Sequence, residues 1–267
     1  MKRNYKILLV LLALSLSFCA FTNNNNDDKD KLLLELLTFV IERGHYNPAA
    51  IDDKFSKGVY KEYIEALDPS KRFFLQSDID EFSKYETQID NEILNKDLTF
   101  FNLTYDRLML RIDESKSFYK EILDKPFDYN IQEDFNTDYE KLPYAKNKIE
   151  LKEKWRKQIK LSTLSSLTDK IEIQENLKNG VVKEKVEEEE TSEGLTKSIS
   201  LDVEETKAKS ATPEKEKTLV ELEIETRESS LKSLNQYFEF VNELDKDDWF
   251  SVYINAIAAG FDLQTNY

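Results

Sequence analysis

The sequence predicts an all-α fold, an irregular multi-helix domain with a disordered acidic insertion. Apolar residues return at steps of three and four along most of the chain, the period of a helix with one buried face. Only five glycines and five prolines occur in 267 residues, so the turn chemistry that closely spaced strands require is scarce. A hydrophobic share of 40% supplies a core, and a charged share of 34% supplies the solvated faces of long helices.

The first 22 residues read as a secretory signal peptide. "MKRNYK" is basic, and "ILLVLLALSL" is apolar but shorter than the ~20 residues that span a bilayer. The small residues of "SFCA" then offer cleavage after Cys19 or, with Ala20 and Thr22, after Thr22. Lipoprotein anchoring at Cys19 is the lesser alternative, because Phe18 stands where the peptidase pocket takes a small side chain. Cleavage beyond Cys19 leaves a mature chain without cysteine, which excludes disulfides and thiol chemistry. Residues 23–30 are expected to form a flexible polar tether.

The rest divides at clear stops. A helical N-terminal domain is expected over residues 31–181, an acidic low-complexity excursion over 182–217, and helices that complete the domain over 218–267. "DDKDKLLLELLTFVIERG" opens with acids, which suit the positive end of a helix dipole, and ends at Gly44. Ile51, Phe55, Val59, Tyr63 and Leu67 form one stripe at four-residue steps, broken by Asp68 and Pro69. Ser77 is the expected N-cap of a helix with Ile79, Phe82, Ile89 and Ile93 on one face. Leu98, Phe101, Tyr105, Leu108 and Ile112 mark a longer helix that stops near Pro126. After a polar connection containing Pro143, a further helix carries Leu151, Trp155, Ile159 and Leu164. The excursion has too few apolar residues to offset its ordering entropy. Periodicity returns with Leu219, Leu222, Leu231, Leu234, Phe238 and Val241. The final helix, expected to stop at Gly260, carries Trp249, Phe250, Val252, Tyr253, Ile254 and Ile257 on several sides, which predicts a sticky patch or a dimer contact.

The net charge of −15 argues against nucleic acid and anionic lipid as partners. His45, the single histidine, follows a helix end and reads as a capping side chain rather than a general base. One histidine cannot make a His-Glu-x-x-His metal site, and the acids of "DDKD", "DID" and "DKDD" are explained by helix dipoles. The glycines are isolated, so no phosphate loop exists. Two spots stand out: Arg72 beside Phe73 and Phe74, and Trp155 between Lys154 and Arg156. Each reads as a peptide-docking surface or, more simply, as core rings with solvated neighbours. The residues alone assign no catalytic, cofactor-binding or metal-binding position.

Residues 45–86, "HYNPAAIDDKFSKGVYKEYIEALDPSKRFFLQSDIDEFSKYE", resemble the N-terminal domain of bacterial tail-specific proteases, or carboxy-terminal processing peptidases. "LKEKWRKQIKLSTL" is similar to the family's Trp-Arg-Lys helix, and "YINAIAAGFDLQTNY" to the segment that closes the domain. In that last segment Asp262, Thr265 and Tyr267 match, whereas Leu263 replaces Pro and Gln264 replaces His. The resemblance implies a secreted or periplasmic serine endopeptidase that cuts proteins from their C-termini. It implies PDZ and protease domains as partners, with a Ser–Lys dyad downstream of the matched residues and no Ser or Lys here in either role. A scaffold or substrate-access role, inert alone, is therefore expected. The alternative is a free-standing envelope binding or adaptor protein built on the same helices.

Overall fold

The computed structural model describes residues 26–44, 50–179 and 216–262. Among them the fold is all-α, with eight helices and no strand. They are α1 (Asn26–Gly44), α2 (Asp53–Leu67), α3 (Gln76–Phe82), α4 (Ile89–Asn95), α5 (Thr99–Leu123), α6 (Lys148–Lys178), α7 (Leu219–Glu243) and α8 (Lys246–Asp262), and a 3₁₀ turn at Ser83–Tyr85 follows α3. The signal peptide with Cys19, His45, residues 263–267 and all but the end of the acidic excursion lie outside the described residues. No described helix is long and apolar enough to cross a membrane.

Side chains set the helix starts. Asp52 accepts from the Lys54 and Phe55 N–H groups to begin α2, and Asn147 accepts from Glu150 N–H to begin α6. Thr218 and Glu221 bond each other reciprocally at α7, as Asp245 and Asp248 do at α8. The cap expected at Ser77 is not there. The Leu75 N–H donates to Asp78 Oδ2 at 2.8 Å, so α3 starts at Gln76, and the predicted long helix is split by the 3₁₀ turn into α3 and α4.

Two groups of helices share α5, which is about 37 Å long at 1.5 Å per residue. In the first, α2 lies between α4 and α8, and α1 packs on α8. Its centre is aromatic: Tyr63 meets Tyr253 at 4.8 Å between centroids, and Phe101 from α5 meets Phe250 at 5.0 Å. In the second group, α6 and α7 pack on each other and on the far half of α5, where Tyr119 stacks on Phe238 at 4.9 Å. Gln174 and Lys217, on either side of residues 180–215, exchange two hydrogen bonds of 2.9 Å that bring the ends of α6 and α7 together.

The expected stripes hold with local exceptions. Leu164 and Leu219 are exposed, at 40% and 61%. The buried rows pass instead through Thr163 to Leu167 on α6, and through Leu222, Thr226 and Ser230 on α7. Thr163 and Thr226 return their hydroxyls to the carbonyls four residues back, which lets a polar side chain occupy a core position.

Helix α1 begins inside the stretch expected to be a tether, because Asp30 is buried and Lys29 bonds Asp247 of α8. With α1, α2 and α5 around it, α8 buries Phe250, Tyr253, Ala256, Ile257 and Phe261. The sticky helix of the sequence reading is thus a central one. The large apolar side chains left exposed include Leu32, Leu33, Leu36 and Phe39, all on α1. Nor does α8 stop at Gly260: the helix runs on to Asp262, and the glycine serves close packing.

A buried ionic cluster joins α3 to α5. Asp78, fully buried, accepts two bonds from Arg111, at 2.8 and 2.9 Å, and a further one from Arg107. Arg107 also bonds Glu81 at 2.6 Å and Arg111 bonds Glu114 at 2.8 Å. Burial alone would raise the Asp78 carboxyl, but the bonds from Arg111, the Leu75 N–H and Arg107 outweigh it and hold the group below the usual carboxylate range.

Candidate functional site

The two aromatic-basic spots of the sequence meet in space. Asp68, the C-cap of α2, accepts from three backbone N–H groups in succession: Arg72 at 2.8 Å, Phe73 at 3.0 Å and Phe74 at 2.9 Å. Lys71 takes φ 48° to make this tight turn. The turn drives Phe73 and Phe74 into the core and leaves Arg72 half-buried outside it. The Trp155 Nε1–H then donates to the Arg72 carbonyl at 2.8 Å, and the Trp155 ring packs against Phe73 and Phe238. For these rings the core reading holds.

Arg72 itself is different. Its guanidinium carbon lies 5.1 Å from the Trp155 ring centre, 4.7 Å from Tyr237 and 5.3 Å from Phe73. Ring faces attract the cation, but they give its N–H groups no acceptor oxygen.

The other cations nearby are engaged. Lys71 donates to the Glu140 and Leu142 carbonyls, both at 2.8 Å, and Lys154 donates to the Pro143 carbonyl. Arg156 and Lys160 pair with Glu133, whose carboxyl those two hydrogen bonds pull down to about 2. Together with Tyr129–Thr163 and Gln158–Tyr139 bonds, they lay the 124–147 connection antiparallel along α6.

Between this connection, α6 and α7 runs a groove of about 470 Å³. Arg72, Tyr139 and Tyr237 lie at one end and Asp169 at the other, with Ser162, Ser165 and Ser166 on one wall and Ser229, Ser230 and Ser233 on the facing wall. The sequence reading missed this groove. Its signal was the recurrence of serine three and four residues apart in "STLSS" and "ESSLKS", where larger side chains would have filled the space.

The acidic clusters have structural partners. Asp78 neutralises arginines, and Asp245 and Asp248 cap α8. Among the described residues no group of three or more His, Cys, Asp or Glu side chains is placed to hold a metal ion.

An all-α domain with an aromatic groove at a helix junction is the class that fold and site define. The chain belongs to the tail-specific protease N-terminal domain family, whose pattern matches residues 37–267. It is similar to the tail-specific protease of Haemophilus influenzae, with 32% identity over 133 residues. That alignment covers 49% of this chain and 19% of the relative, so the chain corresponds to only a fraction of the relative's length.

Proposed function

We propose that this domain is the helical scaffold and substrate-access part of a tail-specific serine endopeptidase acting on proteins from their C-termini. The observation that carries the reading is the family match across residues 37–267. Its partners are then the PDZ and protease domains of the parent enzyme, together with protein or peptide substrates and an envelope adaptor protein. The Ser–Lys dyad implied by the resemblance maps to none of the matched positions, so the domain is inert alone. Residues 1–22 support secretion across the inner membrane, and the family resemblance supports a periplasmic location.

The test is a graft. The matching segment of the H. influenzae protease is replaced by this chain, and cleavage of a protein substrate with an apolar C-terminal tail is followed. Cleavage that is lost on deleting the segment and returns with the graft supports the scaffold role. Cleavage by the purified 267-residue chain itself overturns the inert reading.

A further inference from the structure

We propose that the groove between α6 and α7 docks an extended polypeptide segment by an acidic side chain, which the Arg72 guanidinium receives. The inference rests on reading the domain as a docking scaffold and names the chemistry of what docks.

Charge complementarity commits the occupant. Arg107, Arg111, Arg156 and Arg227 each donate to a carboxylate. Arg72 has no carboxylate or carbonyl acceptor among the described residues, although acids outnumber bases by 53 to 38 in this chain. Asp68 lies near enough to feel its charge, but the Asp68 oxygens already take three backbone N–H groups and form no ion pair with it. The guanidinium thus lies over the Trp155 and Tyr237 rings, lines the groove and has no acceptor of its own among the described residues, so its N–H donors are available to a carboxylate, which a guanidinium can bind bidentately.

A second observation lies deeper in the groove. Ser230 is only 8% exposed, it lines the groove, and its hydroxyl has no hydrogen-bond partner among the described residues. That hydroxyl opens to the groove rather than being sealed in the core, so an occupant can reach it, and a peptide backbone offers it both a donor and an acceptor. The groove volume of about 470 Å³ also falls within the ~300–1,000 Å³ of binding pockets.

Asp169 sets the length and polarity of the occupant. From Trp155 beside Arg72 to Asp169 is roughly 21 Å along α6, at 1.5 Å per residue. An extended chain covers that in about six residues at ~3.3 Å each. The fitting segment thus carries an acidic residue at the Arg72 end and a basic one about six residues away.

The experiment is fluorescence anisotropy of the full chain with labelled seven-residue peptides, acetylated and amidated. Glutamate stands at one end, lysine at the other, and alanine and serine lie between, in both orders. One order is expected to bind, and replacing its glutamate by glutamine weakens it at least tenfold. Arg72→Gln gives a similar loss. Because Arg72 also packs on core rings, Ser165→Trp is the second variant: it fills the groove from an exposed helix position, leaves the helical circular dichroism unchanged, and abolishes binding. Equal affinity for the glutamate and glutamine peptides overturns the proposal. So does no binding in either order, unimpaired binding by Ser165→Trp, or binding that needs a free C-terminal carboxylate instead of glutamate. The graft experiment reads cleavage and not peptide affinity, so a failed titration leaves the scaffold reading standing.

Discussion

Gly260 on α8 stands directly against Phe55 on α2: a methyl group added at its Cα would come within 2.9 Å of Phe55 Cε2 and 3.0 Å of Val59 Cγ2. Phe55 cannot yield easily, since its ring is buried and packs on Phe261 at 4.5 Å between centroids. Gly260→Ala gains up to ~1 kcal/mol of helix propensity but incurs ~1–3 kcal/mol of overpacking. A lower midpoint of urea unfolding is expected. Gly58→Ala is the control, because nothing lies within 4 Å of the added methyl and that variant should gain about 0.5–1 kcal/mol.

Glu92 should give the stability curve a pH dependence near neutrality. Its carboxyl is buried beside the start of α5, where it accepts the Phe100 N–H at 3.0 Å. Burial raises it from the ordinary 4.5 to about 7, against the pull of that hydrogen bond and with help from Asp97. The folded state therefore holds the proton more tightly than the unfolded chain. Its contribution is complete below 4.5 and is lost as pH rises through about 7. Glu92→Gln should remove this slope, leaving the variant near the parent at pH 4 and up to about 3 kcal/mol more stable at pH 8. Urea melts at the two pH values decide it.

Asp78 predicts the opposite sign. Removing it leaves Arg111, at 8% exposure, and Arg107 without their shared carboxylate. Asp78→Ala should cost about 3–5 kcal/mol, the usual result of breaking a buried ion pair from one side. Its carboxyl is held low in the fold, so its contribution is present above the unfolded value and is lost as pH falls through the folded one. Acid unfolding followed by circular dichroism should consequently be less steep in Asp78→Asn than in the parent.

Tyr253 carries a buried hydroxyl with no hydrogen-bond partner among the described residues, at the centre of the aromatic cluster formed with Tyr63, Phe101 and Phe250. An unsatisfied buried hydroxyl costs ~1–3 kcal/mol, and Phe keeps the ring. Tyr253→Phe is expected to raise the melting temperature, by several degrees if the whole cost is recovered. A drop in melting temperature would mean that the hydroxyl is bonded.

The sequence by itself determined the fold class and the interior of most helices. Phe55, Val59, Tyr63 and Leu67 are all buried on one face of α2, because a four-residue period needs only local geometry to be read. The stop at Asp68 was legible for the same reason, and so were the ordered motifs that announced the family. Tertiary structure alone decided where that period was misleading. Leu164 points outward while Thr163 is buried, since a hydroxyl returned to its own helix backbone looks polar in the sequence and behaves as core. The apolar faces of α8 are covered by α1, α2 and α5, a partnership between segments more than a hundred residues apart that no local pattern encodes. The groove belongs to the same class. Arg72, Trp155 and Tyr237 are far apart along the chain, and only the packing of α6 and α7 against the turn after α2 places one cation over their rings. Local periodicity specifies which face of a helix is buried; which helices meet, and what is left open between them, is settled by long-range packing.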